Sequence, residues 1–154
     1  MSTELATDFR KQAIDFQHEI KGLDGVLSTR EEIDNVNPLV HKFADGMYIR
    51  EIFMPAGQII VSATHKQTHP YFIMSGEVSV ATDEGVVKLK APYTGITKAG
   101  TKRILYTHED TTWITVHSTD KTTLDELEKE LVNWDNDIEA ISEEKIEQLM
   151  EGNK

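Results

Sequence analysis

Apolar residues recur every third or fourth position near the start of the chain, every second position through its middle, and every third or fourth again near its end. Leu5, Phe9, Ala13, Phe16 and Ile20 mark one stripe of a helix, with Gly22 placed to stop it and Gly25 adding a flexible point. Residues 28–46 are polar and turn-rich, with bends expected at Asn37-Pro38 and Asp45-Gly46. From Met47 the period becomes two. "MYIREIFM", "GQIIVSAT", "PYFIMSGEVSVAT", "VVKLKA", "TKRILYT" and "TWITVHS" read as short strands rich in β-branched and aromatic residues. Turn residues separate them: Pro55-Ala56-Gly57, Ser75-Gly76, Asp83-Glu84-Gly85, Ala99-Gly100 and His108-Glu109-Asp110. After Ser118 the helical period returns. Thr123 and Glu126 have capping-box spacing, Leu124, Leu127, Leu131 and Trp134 form an apolar face, and a last helix is expected from Ser142 to Gly152 with Ile146, Leu149 and Met150 inward. This layout predicts a mainly β fold, an antiparallel sandwich or barrel with an N-terminal helix and C-terminal helices. The expected parts are 1–46 (helix and polar connection), 47–118 (β core) and 119–154 (helical extension), packed as one domain. The apolar helix faces cover either the outside of their own barrel or a neighbouring subunit, and a homo-oligomer is expected.

Composition narrows the function classes. A chain of 154 residues, 38% hydrophobic and 28% charged, suits one soluble domain. It holds no apolar run of the roughly 18–20 residues a membrane span needs and no basic-then-apolar start, so a cytoplasmic protein with no membrane partner is expected. The absence of cysteine excludes disulfides, thiolate metal sites and cysteine nucleophiles. A net charge of −11 argues against general nucleic-acid binding. The acidity lies in the flanks: residues 57–118 carry 6 basic and 5 acidic groups and four of the six histidines. A small anionic ligand suits that middle section.

The chemistry concentrates in "THKQTHPYFIMSGEVSV", residues 64–80. Gly57, five residues, Ala63, one residue, His65, three residues, His69, six residues and Gly76 resemble the first motif of the cupins. The second cupin motif resembles "KAGTKR", with Gly100 in the turn and Arg103 where a histidine usually stands. The resemblance covers 47–118 and implies an antiparallel cupin-type β-barrel, or jelly roll. "APYTGITKAGTKRILY" and "EDTTWITVH" are similar to small cupins encoded by tailed phages, which implies the cytoplasm of a host cell. Cupins usually place three histidines and one carboxylate around a metal. The matching positions here are Ala63, His65, His69 and Arg103, and a guanidinium offers no lone pair and repels a divalent cation. The expectation is therefore no resident cofactor. The alternative is a divalent transition metal such as Fe, Mn, Ni or Zn on His65, His69 and His117, with His108 another possible third ligand.

Period two groups His69, Tyr71 and Ile73, then Arg103, Leu105 and Thr107, then Trp113, Thr115 and His117, each on one strand face. The expected ligand-binding set is His65, His69, Tyr71, Lys102, Arg103, Trp113 and His117. Arg103 would fork onto phosphate or carboxylate oxygens while Tyr71 and Trp113 stack on a base or sugar. The structural alternative ties Arg103 to Glu109, Asp110 or Glu77. "PYTGITKAGTKR", 92–103, is read as a connecting loop with solvated lysines or as a cover over the ligand. His18 and His41 are expected outside the barrel. Three functions stay open. One is a non-catalytic binder of a nucleotide, cyclic nucleotide or sugar phosphate, in a phage setting sequestering a host signalling nucleotide. Another is an enzyme, either a metal-independent epimerase with His65 or His69 as base and Tyr71 as acid, or a metal-dependent dioxygenase or isomerase. The third is a structural phage protein.

Overall fold

The computed structural model describes residues 3–20, 27 and 30–133. Its elements in chain order are α1 (Thr3–Ile20), α2 (Arg30–Val36), β1 (Leu39–Ala44), β2 (Met47–Met54), β3 (Ile59–Val61), β4 (Thr64–His65), β5 (His69–Ser75), β6 (Glu77–Thr82), β7 (Gly85–Lys90), β8 (Tyr93–Thr97), β9 (Ile104–Thr107), β10 (Thr111–Ser118), α3 (Leu124–Leu131) and β11 (Val132–Asn133). The strands form a five-stranded sheet in the order β1-β2-β10-β5-β8 and a four-stranded sheet in the order β3-β9-β6-β7, with β4 and β11 paired separately. The expected mainly β, antiparallel architecture with helices at both ends is what the chain adopts. No helix among the described residues is long and apolar enough to cross a membrane.

Alternation along each strand builds the interior of the large sheet in three rows. In the first, Ile52 lies opposite Leu39 and Trp113, Trp113 opposite Ile73, and Ile73 opposite Tyr93. One step along, Arg50 lies opposite His41 and Thr115, Thr115 opposite Tyr71, and Tyr71 opposite Gly95. In the third row Tyr48 lies opposite Phe43 and His117, and His69 opposite Thr97. The first row joins the main core of Met54, Ile73, Val78, Val80, Leu89, Leu105 and Trp113. The other two rows carry most of the polar side chains, so a buried polar layer sits on an apolar floor. On the outer side of the same sheet Met74 and Ile96 are 60% and 64% exposed.

Three segments differ from the sequence reading. The stretch 28–46 is not a polar connection throughout, because it holds α2 and strand β1. His41 and Lys42 disguise the strand, and His41 belongs to it: its Nδ1 lies 2.6 Å from the Tyr48 hydroxyl. The segment 92–103 is likewise not all loop. Residues Tyr93–Thr97 form β8 at the sheet edge, and Gly95 weakens the strand signal for a packing reason, since a Cβ there would overlap the Tyr71 ring. The helix after Thr123 ends at Leu131 and continues as β11; Trp134 and the helix expected from Ser142 lie outside the described residues. Thr123 caps α3, its Oγ1 accepting from Glu126 N at 3.4 Å. Leu127 and Leu131 bury against Tyr48.

The turn between β5 and β6 depends on Gly76, which has φ +95° and whose added Cβ would overlap the Asp110 carbonyl and Thr111. Gly85 also has positive φ, +115°, but faces open space. Gly76→Ala should therefore cost roughly 2–4 kcal/mol in urea denaturation, and Gly85→Ala only about 1 kcal/mol of backbone strain.

Candidate functional site

Two hydrogen bonds to Ser62 hold the Arg103 backbone. Arg103 N donates to Ser62 Oγ at 2.9 Å, and Ser62 N donates to the Arg103 carbonyl at 2.9 Å. His65 is anchored to the same turn through His65 N to the Thr101 carbonyl at 3.1 Å and Gly100 N to the His65 carbonyl at 2.6 Å. On its other side β4 is paired by β11, with His65 opposite Val132. Lys66 N and Lys66 Nζ donate to the carbonyls of Leu131 and Lys129, both at 2.8 Å. The C-terminal helix thus holds the strand that carries His65.

Arg103 is 6% exposed. Its Nη1 donates to Thr97 Oγ1 at 2.9 Å and its Nη2 to His65 Nε2 at 3.1 Å. The guanidinium carbon lies 5.0 Å from the centroid of the Trp113 ring and 5.5 Å from that of Tyr71, and these two rings stack on each other at 4.6 Å and 13°. Each cation–π contact contributes about 0.5–2 kcal/mol when desolvated. Glu77 pairs instead with Lys88 at 2.9 Å, and Asp110 Oδ1 accepts from Ala56 N at 2.9 Å. Among the described residues no carboxylate pairs with Arg103. The expected structural alternative, an ion pair tying strands together, is not what forms.

Three imidazoles continue from the guanidinium in a line: His65 and His69 rings 4.7 Å apart, His69 and His117 rings 4.3 Å apart. His69 Nδ1 lies 2.9 Å from the Gln67 carbonyl, and His117 Nε2 lies 2.9 Å from Thr115 Oγ1. Burial first, then Arg103, His69, His117 and Arg50, push the His65 pKa from 6.5 down to about 2. Burial, then His69 and Arg50, lower His117 to about 3. Burial lowers His69 as well, against the Gln67 hydrogen bond. All three are neutral at physiological pH. Arg103 is lowered by burial only to about 10 and stays a cation. Four buried polar atoms of this cluster have no partner: Arg103 Nε, His65 Nδ1, His69 Nε2 and His117 Nδ1.

The structure brings together His65, His69, Tyr71, Arg103, Trp113 and His117 and leaves Lys102 aside. Lys102 is buried, but its Nζ donates to the Ser62 carbonyl at 2.8 Å. Trp113 is 3% exposed, with the Tyr71 ring stacked on it and Arg103 beside both rings, so it is not the free stacking platform expected. His108 is exposed and bonded to Ser79 Oγ at 2.7 Å, outside the cluster. Thr97, the hydroxyl that receives Arg103, is absent from the expected ligand-binding set and entered the sequence reading only as one of several hydroxyls on a 92–103 loop or cover. Sequence reasoning missed Arg50, half-buried on the inner side of β2 and felt by His65, His117 and Tyr48. Alternation groups Arg50 with Tyr48, Ile52 and Met54, but both faces of β2 are apolar enough to be the inner one.

A metal of the cupin kind does not fit this donor set. His65 spends its Nε2 lone pair on Arg103, Ala63 offers no ligand atom, and a guanidinium occupies the centre. Among the described residues no three His, Asp or Glu side chains are arranged to hold a metal ion. The imidazoles pack ring against ring rather than converging.

No protein-family model matches this chain, and no curated protein does. Solved structures do. The DMSP lyase DddQ of Ruegeria pomeroyi matches with a TM-score of 0.52 and 17% identity over 64% of this chain and 54% of the lyase. A cupin-superfamily protein of Desulfitobacterium hafniense matches at 0.48 and 14% over 64% of this chain and 88% of its own. The cupin domain of Schizosaccharomyces pombe Cnp3 matches at 0.48 and 18% over 75% and 82%. The match to the lyase, of whose length this chain spans about half, gives the fold as that of a cupin barrel.

Histidines held neutral in the fold link stability to pH. Below 6.5 the unfolded chain binds protons that folded His65 and His117 refuse until about 2 and 3. Stability is therefore full above 6.5 and is lost as pH falls, by about 2 kcal/mol per histidine at pH 5. Calorimetry should show Tm falling by roughly 10 °C between pH 7.5 and pH 5, with a smaller fall in His117→Asn.

Proposed function

We propose that this barrel is a binding protein for a small anionic ligand, received by Arg103 in place of the metal that related barrels hold. The observation that carries the reading is a buried guanidinium with no carboxylate partner among the described residues. Burying a charge without a counterion costs several kcal/mol, and an anion supplies the counterion. The neutral imidazoles beside it add hydrogen-bonding groups without adding charge, and Arg50, one row along, adds positive potential felt by His65 and His117. The ligand class is a carboxylate, a phosphate, or the phosphate end of a nucleotide or sugar phosphate. A base or sugar would lie on Tyr93, whose ring is 6.1 Å from Tyr71 and partly exposed, because Trp113 and Tyr71 already cover each other. If the chain is phage-encoded, holding such a ligand would withdraw it from the host.

Acid–base catalysis is the weaker reading. A general base works best with a pKa near the operating pH, whereas His65 is depressed to about 2 and His69 is lowered too. Burial raises the Tyr71 pKa, which suits a proton donor but leaves it without a competent base.

Arg103→Met separates a ligand anchor from a structural tie. Replacing a buried, unneutralised cation by an apolar side chain of similar length should leave the ligand-free protein as stable or about 1–3 kcal/mol more stable. The same variant should lose the Tm increase that wild-type protein shows with phosphate or sugar phosphates. A variant that is destabilised and still responds to those anions would defeat the proposal. Native mass spectrometry of the purified protein should find an anion released unchanged on denaturation.

A further inference from the structure

Three of the four unpartnered atoms of the cluster have fixed polarity, and that polarity selects among anions. His69 Nδ1 lies 2.9 Å from the Gln67 carbonyl, which can only accept, so the ring hydrogen is on Nδ1 and Nε2 presents a lone pair. His65 Nε2 lies 3.1 Å from Arg103 Nη2, which can only donate, so the hydrogen of that ring is on Nδ1. Arg103 Nε is always a donor. The buried cluster therefore offers two unfilled donors, Arg103 Nε and His65 Nδ1, and one unfilled acceptor, His69 Nε2, while the fourth atom, His117 Nδ1, takes its role from whether the Thr115 hydroxyl donates to or accepts from Nε2. His69 is 2% exposed and Arg103 6%, so these atoms face the interior of the barrel rather than bulk solvent. A bare oxyanion would satisfy the donors but set its lone pairs against that of His69.

Resting on the anion reading above, we infer that the ligand is an oxyanion carrying a hydrogen of its own, an acid group with an O–H on or beside the charged oxygens. Its charged oxygens accept from Arg103 Nε and His65 Nδ1, and its hydroxyl donates to His69 Nε2. Hydrogen phosphate and 2-hydroxycarboxylates have this character; sulfate, acetate and phosphodiesters lack it. The site thereby excludes isosteric anions through one lone pair rather than through size, since burial and the neighbouring guanidinium keep that nitrogen unprotonated.

Inorganic phosphate and sulfate make the test, being the same shape with and without a hydrogen at neutral pH. Isothermal titration of the full chain at pH 7 and matched ionic strength should show phosphate bound at least about tenfold more tightly than sulfate, the worth of one hydrogen bond made against one lone-pair clash. The preference should collapse in His69→Asn, whose amide can turn an N–H to the ligand, with sulfate gaining. Long-range ¹H–¹⁵N spectra of the wild-type protein should show the hydrogen on Nδ1 of both His65 and His69, a readout independent of any variant's folding. Equal binding of the two anions, or an Nε2–H signal from His69, overturns the hydrogen requirement and leaves anion binding standing. Binding of neither overturns both.

Discussion

A permanent positive charge removed from water is the constraint around which this barrel is arranged. Arg103 sits in the interior with a hydroxyl, an imidazole lone pair and two aromatic faces as its partners. Each of these is neutral, so together they replace part of its hydration but none of its counter-charge. The consequences spread outward. His65 must be neutral to receive the guanidinium, and burial together with the Arg103 charge lowers the pKa of His69 beside it too. Tyr71 must lie flat to face the cation, and it can do so because its cross-strand partner is Gly95. Burial and Arg103 together hold His65 neutral, and Gly95 leaves room for the Tyr71 ring that contacts the cation.

The fold meets that constraint by layering. A dry row of Leu39, Ile52, Trp113 and Ile73 supports the two polar rows above it, and alternate positions on each strand keep the rows in register. The side chains most in need of precise placement come from outside the large sheet. Arg103 precedes β9 and His65 lies on the two-residue β4, so neither is held by a long ladder. Ser62 bonds hold the first, and pairing with β11 plus the carbonyls of α3 hold the second. The C-terminal helix is in this sense part of the site, although it contributes no side chain to the cluster.

Stability and binding pull in opposite directions here. An interior of imidazoles and guanidinium with unpartnered nitrogens is poorer than an apolar filling, and proteins retain such groups where a ligand completes them. The interior holds one cation of its own, and the neighbouring imidazoles pack ring against ring at tilted angles.

Much of this was legible beforehand. The β-branched and aromatic runs "MYIREIFM" and "TWITVHS" located β2 at its observed bounds and β10 to within one residue, because such residues suit a pleated, half-buried strand. The glycine and histidine spacing aligned His65, His69 and Arg103 with the interior before any coordinates. Local sequence could not decide which face of an almost wholly apolar strand turns inward, and Arg50 was lost for that reason. Nor could it show β8, where Gly95 breaks strand propensity to accommodate a ring 24 residues away in the chain. Composition and period thus determined the architecture, since they act through neighbours along the chain. The partners of Arg103, the tautomers of His65 and His69, and the closure of Trp113 are set by contacts between distant strands, and only the folded barrel decides those.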